Sequence, residues 1–207
     1  EISRLYGGRK LWITEYGYQT KPPDGQFGVS WALQAKYLTQ AFAIARRAGL
    51  LLVPHAGELL GAAAVAEALD AIGPERLGHG VRIVEDIEAT ADGPRLGRLA
   101  AYVRDARIPL EISPSSNLQT GIAATMADHP VDLLHRLDFT VTVNCDNRLM
   151  SATTMSREFA LLSEAFGWTL DDVELATVRA MRAAFLPHDQ RERIVGELIL
   201  PSYAAAR

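Results

Sequence analysis

The chain has 207 residues, with 21 Lys and Arg against 25 Asp and Glu, a formal net charge of -4, and 48% hydrophobic and 22% charged residues. That balance suits one soluble globular domain with a sizeable core and gives no general attraction to phosphate backbones or anionic membranes, so nucleic acid and membrane are set aside as partners. Cys145 is the only cysteine, which excludes an intrachain disulfide and Cys-cluster zinc sites and fits a reducing, cytoplasmic setting.

In chain order, Glu1-Ile2-Ser3-Arg4 lacks a Met and the basic and apolar regions of a signal peptide, so a processed, trimmed or incompletely recorded start is expected. No apolar run approaches membrane-spanning length. Short apolar runs then alternate with helical patterns, the arrangement that produces parallel strands joined by crossover helices. Strands are expected at Lys10 to Glu15, Leu50 to His55, Arg76 to Ile83, Ile108 to Ser113 and Phe139 to Cys145, each continuous enough to be buried on both faces. Helices are expected at Ser30 to Ala48, Leu59 to Ile72, Arg95 to Arg107 and Val131 to Leu137. Three more follow at Thr154 to Phe166, Leu170 to Phe185 and Asp189 to Leu198. In the first helix Leu33, Tyr37, Leu38, Ala41 and Ile44 form an apolar stripe at helical spacing. Tyr18 to Ser30, rich in Gly, Pro and polar residues, is expected to be a long loop.

This pattern predicts an α/β fold, a partial TIM-type (β/α) barrel of about five parallel strands in a single barrel-like domain. A closed eight-stranded barrel commonly takes about 250 residues. An open parallel sheet exposes edges that invite association, so a homo-oligomer completing the barrel is expected.

The chemistry-bearing residues gather at the C-terminal ends of the expected strands, where parallel-barrel active sites sit. His-Ala-Gly-Glu at His55 to Glu58 follows the run LLLVP. A neutral imidazole binds zinc through one nitrogen, and a carboxylate three residues on can reach a substrate. The alternative is a helix-start turn, with Glu58 favouring the helix dipole and His55 hydrogen-bonded in the core. Leu-Gly-His-Gly at Leu77 to Gly80 leaves His79 unobstructed between two glycines, as a general base, an electrostatic stabiliser or a structural histidine. Ser113-Pro114-Ser115-Ser116-Asn117 is a polar turn whose hydroxyl and amide groups either orient neighbouring groups, the expected role, or satisfy buried backbone. Asn144-Cys145-Asp146-Asn147 offers Asp146 as a hard oxygen donor and Asn147 as a hydrogen-bonding amide or an Asx turn ahead of a helix. His129, His135 and His188 fall in a loop, a helix and the tail and are expected at the surface.

HAGE, LGHG, SPSSN and NCDNRLMS, in that order and each closing a strand, resemble the adenosine deaminase family over about residues 45–204. The resemblance implies a metallo-dependent-hydrolase-like barrel and a zinc ion held by His55 and Asp146. It implies that Glu58 protonates a purine ring, that His79 handles the attacking water, and that Gly57 and Asn147 lie at the substrate, a purine nucleoside. Asn147 stands where many members have a second Asp. The implied activity is hydrolytic deamination, an attack on a C–N bond of a cyclic amidine. Members also begin with a strand ending in a His-x-His pair of zinc ligands, and no such pair occurs in these 207 residues.

Residues 11–43, with WITEYGYQTKPPDGQFGVS before an amphipathic helix, resemble instead the nucleophile-strand region of barrel glycoside hydrolases, with Glu15 as the carboxylate. Together the two resemblances suggest a chimera: a glycosidase-like segment at 1–44, a deaminase-like half-barrel at 45–207, and a seam between Ala41 and Leu50. A catalytically incomplete barrel and a glycoside hydrolase using Glu15 are the competing functions.

Overall fold

The computed structural model describes residues 16–207, so the expected first strand and Glu15 lie outside the described residues. The chain forms two compact units that divide between Leu50 and Leu51.

In the first unit, the loop expected over Tyr18 to Ser30 is pinched by an isolated bridge between Thr20 and Val29. Asp24 turns its tip by accepting the backbone N–H groups of Gln26 and Phe27 at 2.8 and 2.9 Å. Helix α1 (Trp31–Arg47) starts where Ser30 Oγ accepts the N–H of Leu33, and Arg46 and Arg47 complement its C-terminal dipole. Leu33, Tyr37, Leu38 and Ala41 are half-buried as the spacing predicts, but Ile44 is exposed.

The second unit contains a four-stranded parallel sheet: β1 (His55–Ala56), β2 (Leu77–His79), β5 (Leu110–Ile112) and β6 (Val141–Val143), in spatial order β1-β2-β5-β6. Register pairs Leu77 with Leu110 and Leu110 with Val141, so these side chains share one face with Ile112 and Val143. That face is buried with Val65, Ala100, Val103, Leu134, Phe139 and Leu162 from the surrounding helices and loops. The other face carries the row Gly78, Glu111 and Thr142. It is an open portion of a parallel α/β barrel.

The crossover elements are α2 (Ala62–Ile72), α3 (Arg98–Asp105), α4 (Pro114–Gln119) and α5 (Val131–Arg136), followed by α6 (Arg148–Ser151), α7 (Met155–Phe166), α8 (Leu170–Ala183), α9 (His188–Ile194) and α10 (Leu200–Ala206), the last two joined by a π turn. The sequence places most of these within a few residues. Three segments differ. Of the strand expected over Leu50 to His55 only His55 is strand, as the first residue of β1. The strand expected over Arg76 to Ile83 stops at His79, because His79 and Gly80 both adopt left-handed backbone (φ 62 and 66) that no strand continues through. A 3₁₀ turn, Val81–Asp86, follows and still buries Val81 and Ile83.

The chain then makes an antiparallel hairpin, β3 (Ile87–Thr90) and β4 (Gly93–Leu96), in place of the start of the expected helix at Arg95. Arg95 pairs across it with Glu88, and α3 begins only after Gly97, with Asp86 Oδ2 accepting the Ala100 N–H at 2.8 Å. The two-residue loop is Ala91-Asp92, and Gly93, which pairs with Thr90, takes a positive φ of 111 as β4 begins.

Candidate active site

Every residue singled out at the strand ends lies at the C-terminal edge of the sheet. His55 opens β1, exposed, with its ring edge-on to that of His79 at 4.9 Å between centroids. The register explains the close approach: His55 pairs with Gly78. A Cβ on Gly78 would sit 2.6 Å from His55 Cδ2, so this glycine makes room for the neighbouring imidazole of His55. Gly57 turns the chain with φ 65, and a Cβ there would meet Val65 at 2.6 Å. That turn brings Glu58 back over the sheet, where its Oε2 lies 3.5 Å from His79 Nε2.

His55, Glu58 and His79 each offer a ligand atom within 4.8 Å of the others, the one such cluster among the described residues. Asp146, two strands away, is not part of it. The Asp146 backbone is left-handed (φ 52), and Ser116 Oγ donates to its Oδ2 at 2.8 Å, which fixes the direction of the carboxylate. Asn147 caps α6, its Oδ1 accepting the Met150 N–H at 3.1 Å, so one end of its amide is engaged as an Asx turn.

Burial pulls the His79 imidazole below its ordinary pKa. The carboxylates of Glu58 and Asp146 oppose this, and His55 adds to it. On the sheet face beside them, burial pushes Glu111 above the usual carboxylate range, against the pull of Arg76, whose Nε lies 3.0 Å away.

The polar turn orients its neighbours as expected. It is α4, and it presents Ser116 to Asp146 and Asn117 to His79. Its own position is set by Glu158 of α7, a fully buried carboxylate that accepts the Ser115 N–H at 3.0 Å and the Thr153 hydroxyl.

Two histidines expected at the surface are buried. His129 is 3% exposed and bonded to Asn117 and to the Val131 N–H, and His135 is 6% exposed, packed on Trp168 and paired with Asp172. Loop and helix placement said nothing of the neighbours that cover them. For His129 the overlooked signal is its position just before Pro130 at the start of α5, where its ring can reach a free helix N–H. His188, at the start of α9, is exposed.

The solved structures that the chain resembles are α/β barrels of the amidohydrolase kind. One is an adenine deaminase from Arthrobacter aurescens (TM-score 0.71, 23% identity, covering 81% of this chain and 47% of that one). Another is an amidohydrolase from Burkholderia ambifaria with bound Zn (TM-score 0.70, 21% identity, 82% and 45%). The family model described as adenosine deaminase matches residues 28–200, and the chain belongs to that family. It is 54% identical over 165 residues to adenosine deaminase 1 of Streptomyces coelicolor, covering 79% of this chain and 42% of that one. It is 57% identical over 152 residues to an adenosine deaminase of Mycobacterium tuberculosis, covering 73% and 42%. The chain thus spans less than half the length of these relatives.

Because the family match begins at residue 28, α1 lies inside it, and the expected glycosidase-like segment over 11–43, with its seam between Ala41 and Leu50, finds no support.

Proposed function

We propose that the chain carries part of the site of a zinc-dependent enzyme that deaminates an aminopurine nucleoside by hydrolysis, with His55 and Asp146 as zinc ligands. The observation that carries this reading is the convergence of His55, Glu58 and His79 within 4.8 Å at adjacent parallel strand ends. An imidazole nitrogen and a carboxylate oxygen are the donor types that catalytic zinc takes, usually as three protein ligands with one open position. The residues present therefore fit a partial ligand set, and at least one further donor comes from outside the pair named here. When bound, zinc supplies a water acidified toward neutral pH.

The chain's own residues do the rest. Glu58 gives a proton to the ring nitrogen beside the carbon that bears the amino group, which makes that carbon electrophilic. His79 orients the attacking water from the other strand end. Ser116 keeps the Asp146 carboxylate aimed. Gly57, through its left-handed turn, sets Glu58 beside the purine, and the free end of the Asn147 amide reaches the heterocycle. The same reading places the enzyme in the cytoplasm, consistent with a free, buried Cys145. No helix among the described residues is long and apolar enough to cross a membrane.

The reading also treats 45–207 as one half-barrel completed by further chain, either a second copy or the remaining length of a longer protein. Light scattering after size-exclusion chromatography tests the second copy, and a stable monomer would remove it.

The deciding experiment combines elemental analysis for zinc with adenosine absorbance, on wild type and Glu58→Gln. Expected are about one zinc per chain in both proteins and turnover about 10²- to 10⁴-fold lower in the variant. A folded protein with its barrel completed, whether by a second copy or by the remaining chain, that shows no zinc and no turnover would leave only the incomplete-barrel reading.

A further inference from the structure

Asn117 and His129 play no part in the reading above, yet both are buried behind His79 and joined to it. Asn117 is 0% exposed, and His79 and His129 are 3% exposed each. Three contacts run in series. His129 Nδ1 lies 3.0 Å from the Val131 N–H, His129 Nε2 lies 3.3 Å from Asn117 Oδ1, and Asn117 Nδ2 lies 3.1 Å from His79 Nδ1.

The direction of every hydrogen in this series follows from its far end. A backbone N–H can only donate, so His129 Nδ1 must be the acceptor and carry no proton. Burial lowers the His129 pKa to about 4, so at neutral pH the ring is neutral and keeps its one N–H on Nε2. That N–H requires an oxygen opposite it, which fixes the Asn117 amide with Oδ1 toward His129 and its NH₂ toward His79. The reversed amide would set two donors against each other at His129. An NH₂ group can only donate, so His79 Nδ1 is an acceptor, and the His79 proton sits on Nε2, facing Glu58 at 3.5 Å.

We propose that Asn117 and His129 are positioning residues that lock His79 in its Nε2–H tautomer, so that the resting site receives a hydrogen-bond donor from His79 and not a basic lone pair. The inference rests on the deaminase reading only for what His79 then does. As a donor it holds a water by an oxygen lone pair and turns the water's other lone pair toward the reacting carbon. In the resting state it cannot take a proton at Nε2. The lock originates at the first N–H of α5, outside the pocket, and passes through α4 to the end of β2.

The test is the long-range ¹H–¹⁵N histidine spectrum of the metal-free chain near pH 7, which distinguishes a protonated from an unprotonated ring nitrogen. The five histidines are assigned by single His→Gln substitutions. In wild type, His79 and His129 should both show an unprotonated Nδ1 and a protonated Nε2. Asn117→Asp replaces the NH₂ donor by an acceptor while still accepting from His129, so the His79 Nδ1 should become protonated. His129→Phe frees the amide to turn, and His79 should become a mixture of tautomers.

A wild-type His79 with its proton on Nδ1 overturns the lock. So does a folded Asn117→Asp whose His79 pattern is unchanged, since a merely structural Asn117 would leave that pattern alone. Because the spectra use neither zinc nor nucleoside, a failed lock leaves the deaminase reading standing, and missing turnover leaves the lock standing.

Discussion

The two ends of the parallel sheet both hold histidines among charged groups, but they use them differently. At the N-terminal end, ahead of β5 and β6, pairing is dense. His135 Nε2 meets Asp172 at 3.1 Å, Asp138 receives both Arg107 and Arg179, and Asp172 also closes the capping box of α8 with Thr169. At the C-terminal end, His55 is exposed and Glu58 touches only the edge of His79 at 3.5 Å, while left-handed backbone occurs at both ends, at His79 and Asp146 here and at Arg107 and Asp138 there. Left-handed backbone at a non-glycine residue costs about 1–3 kcal/mol and persists where the surroundings enforce it. The contrast separates groups spent on stability from groups held ready for a ligand.

Four measurements can break or sharpen that contrast. The largest expected effect concerns pH. His129 has a folded pKa of about 4 against an unfolded value of 6.5, so folding favours its neutral form. Its contribution is intact above pH 6.5 and is lost as pH falls toward 4, to a total of about 3 kcal/mol. Urea unfolding of wild type and His129→Gln between pH 7 and 4.5 should show the variant with the shallower slope; parallel slopes would mean that His129 is not held neutral.

Next is Gly78→Ala, whose Cβ must displace the His55 ring. Zinc affinity should fall about 10- to 100-fold by analogy with other disturbed ligand supports, read by competition with a chromogenic chelator. Unchanged affinity would show that the ring position is not tied to the ligand role. At the opposite end, Asp172→Ala removes a helix cap and the His135 partner together, and should cost about 1–2 kcal/mol by urea unfolding with zinc uptake unchanged. A loss of zinc uptake there would blur the division between the two ends.

The smallest effect is Asp146→Asn. Asn still accepts from Ser116 and tolerates left-handed backbone, so stability should stay within about 0.5 kcal/mol while zinc uptake falls. A large stability loss would make Asp146 a structural carboxylate.

Much of this was legible in the residues themselves. The alternation of apolar runs with helical patterns marked four of the described strands, because buried parallel strands leave continuous apolar signatures. The ordered motifs marked His55, Glu58, His79 and Asp146. The hairpin Ile87–Leu96 has no counterpart among the expected elements, which leave 84–94 unassigned and start a helix at Arg95, and the extent of β2 is overestimated because apolar Val81 and Ile83 stay buried without a strand.

The sequence by itself determined the type of fold, the family and the donors at the strand ends, since these depend on local pattern and on residue identity in order. Only the tertiary structure decided that Gly78 serves His55, that Asn147 spends half its amide on a helix cap, and that His129, 50 residues beyond His79, controls which nitrogen of His79 carries the proton. The physical reason is that hydrogen-bond direction is settled by neighbours in space, through donors such as the Val131 N–H whose role cannot reverse, and no spacing along the chain records those neighbours.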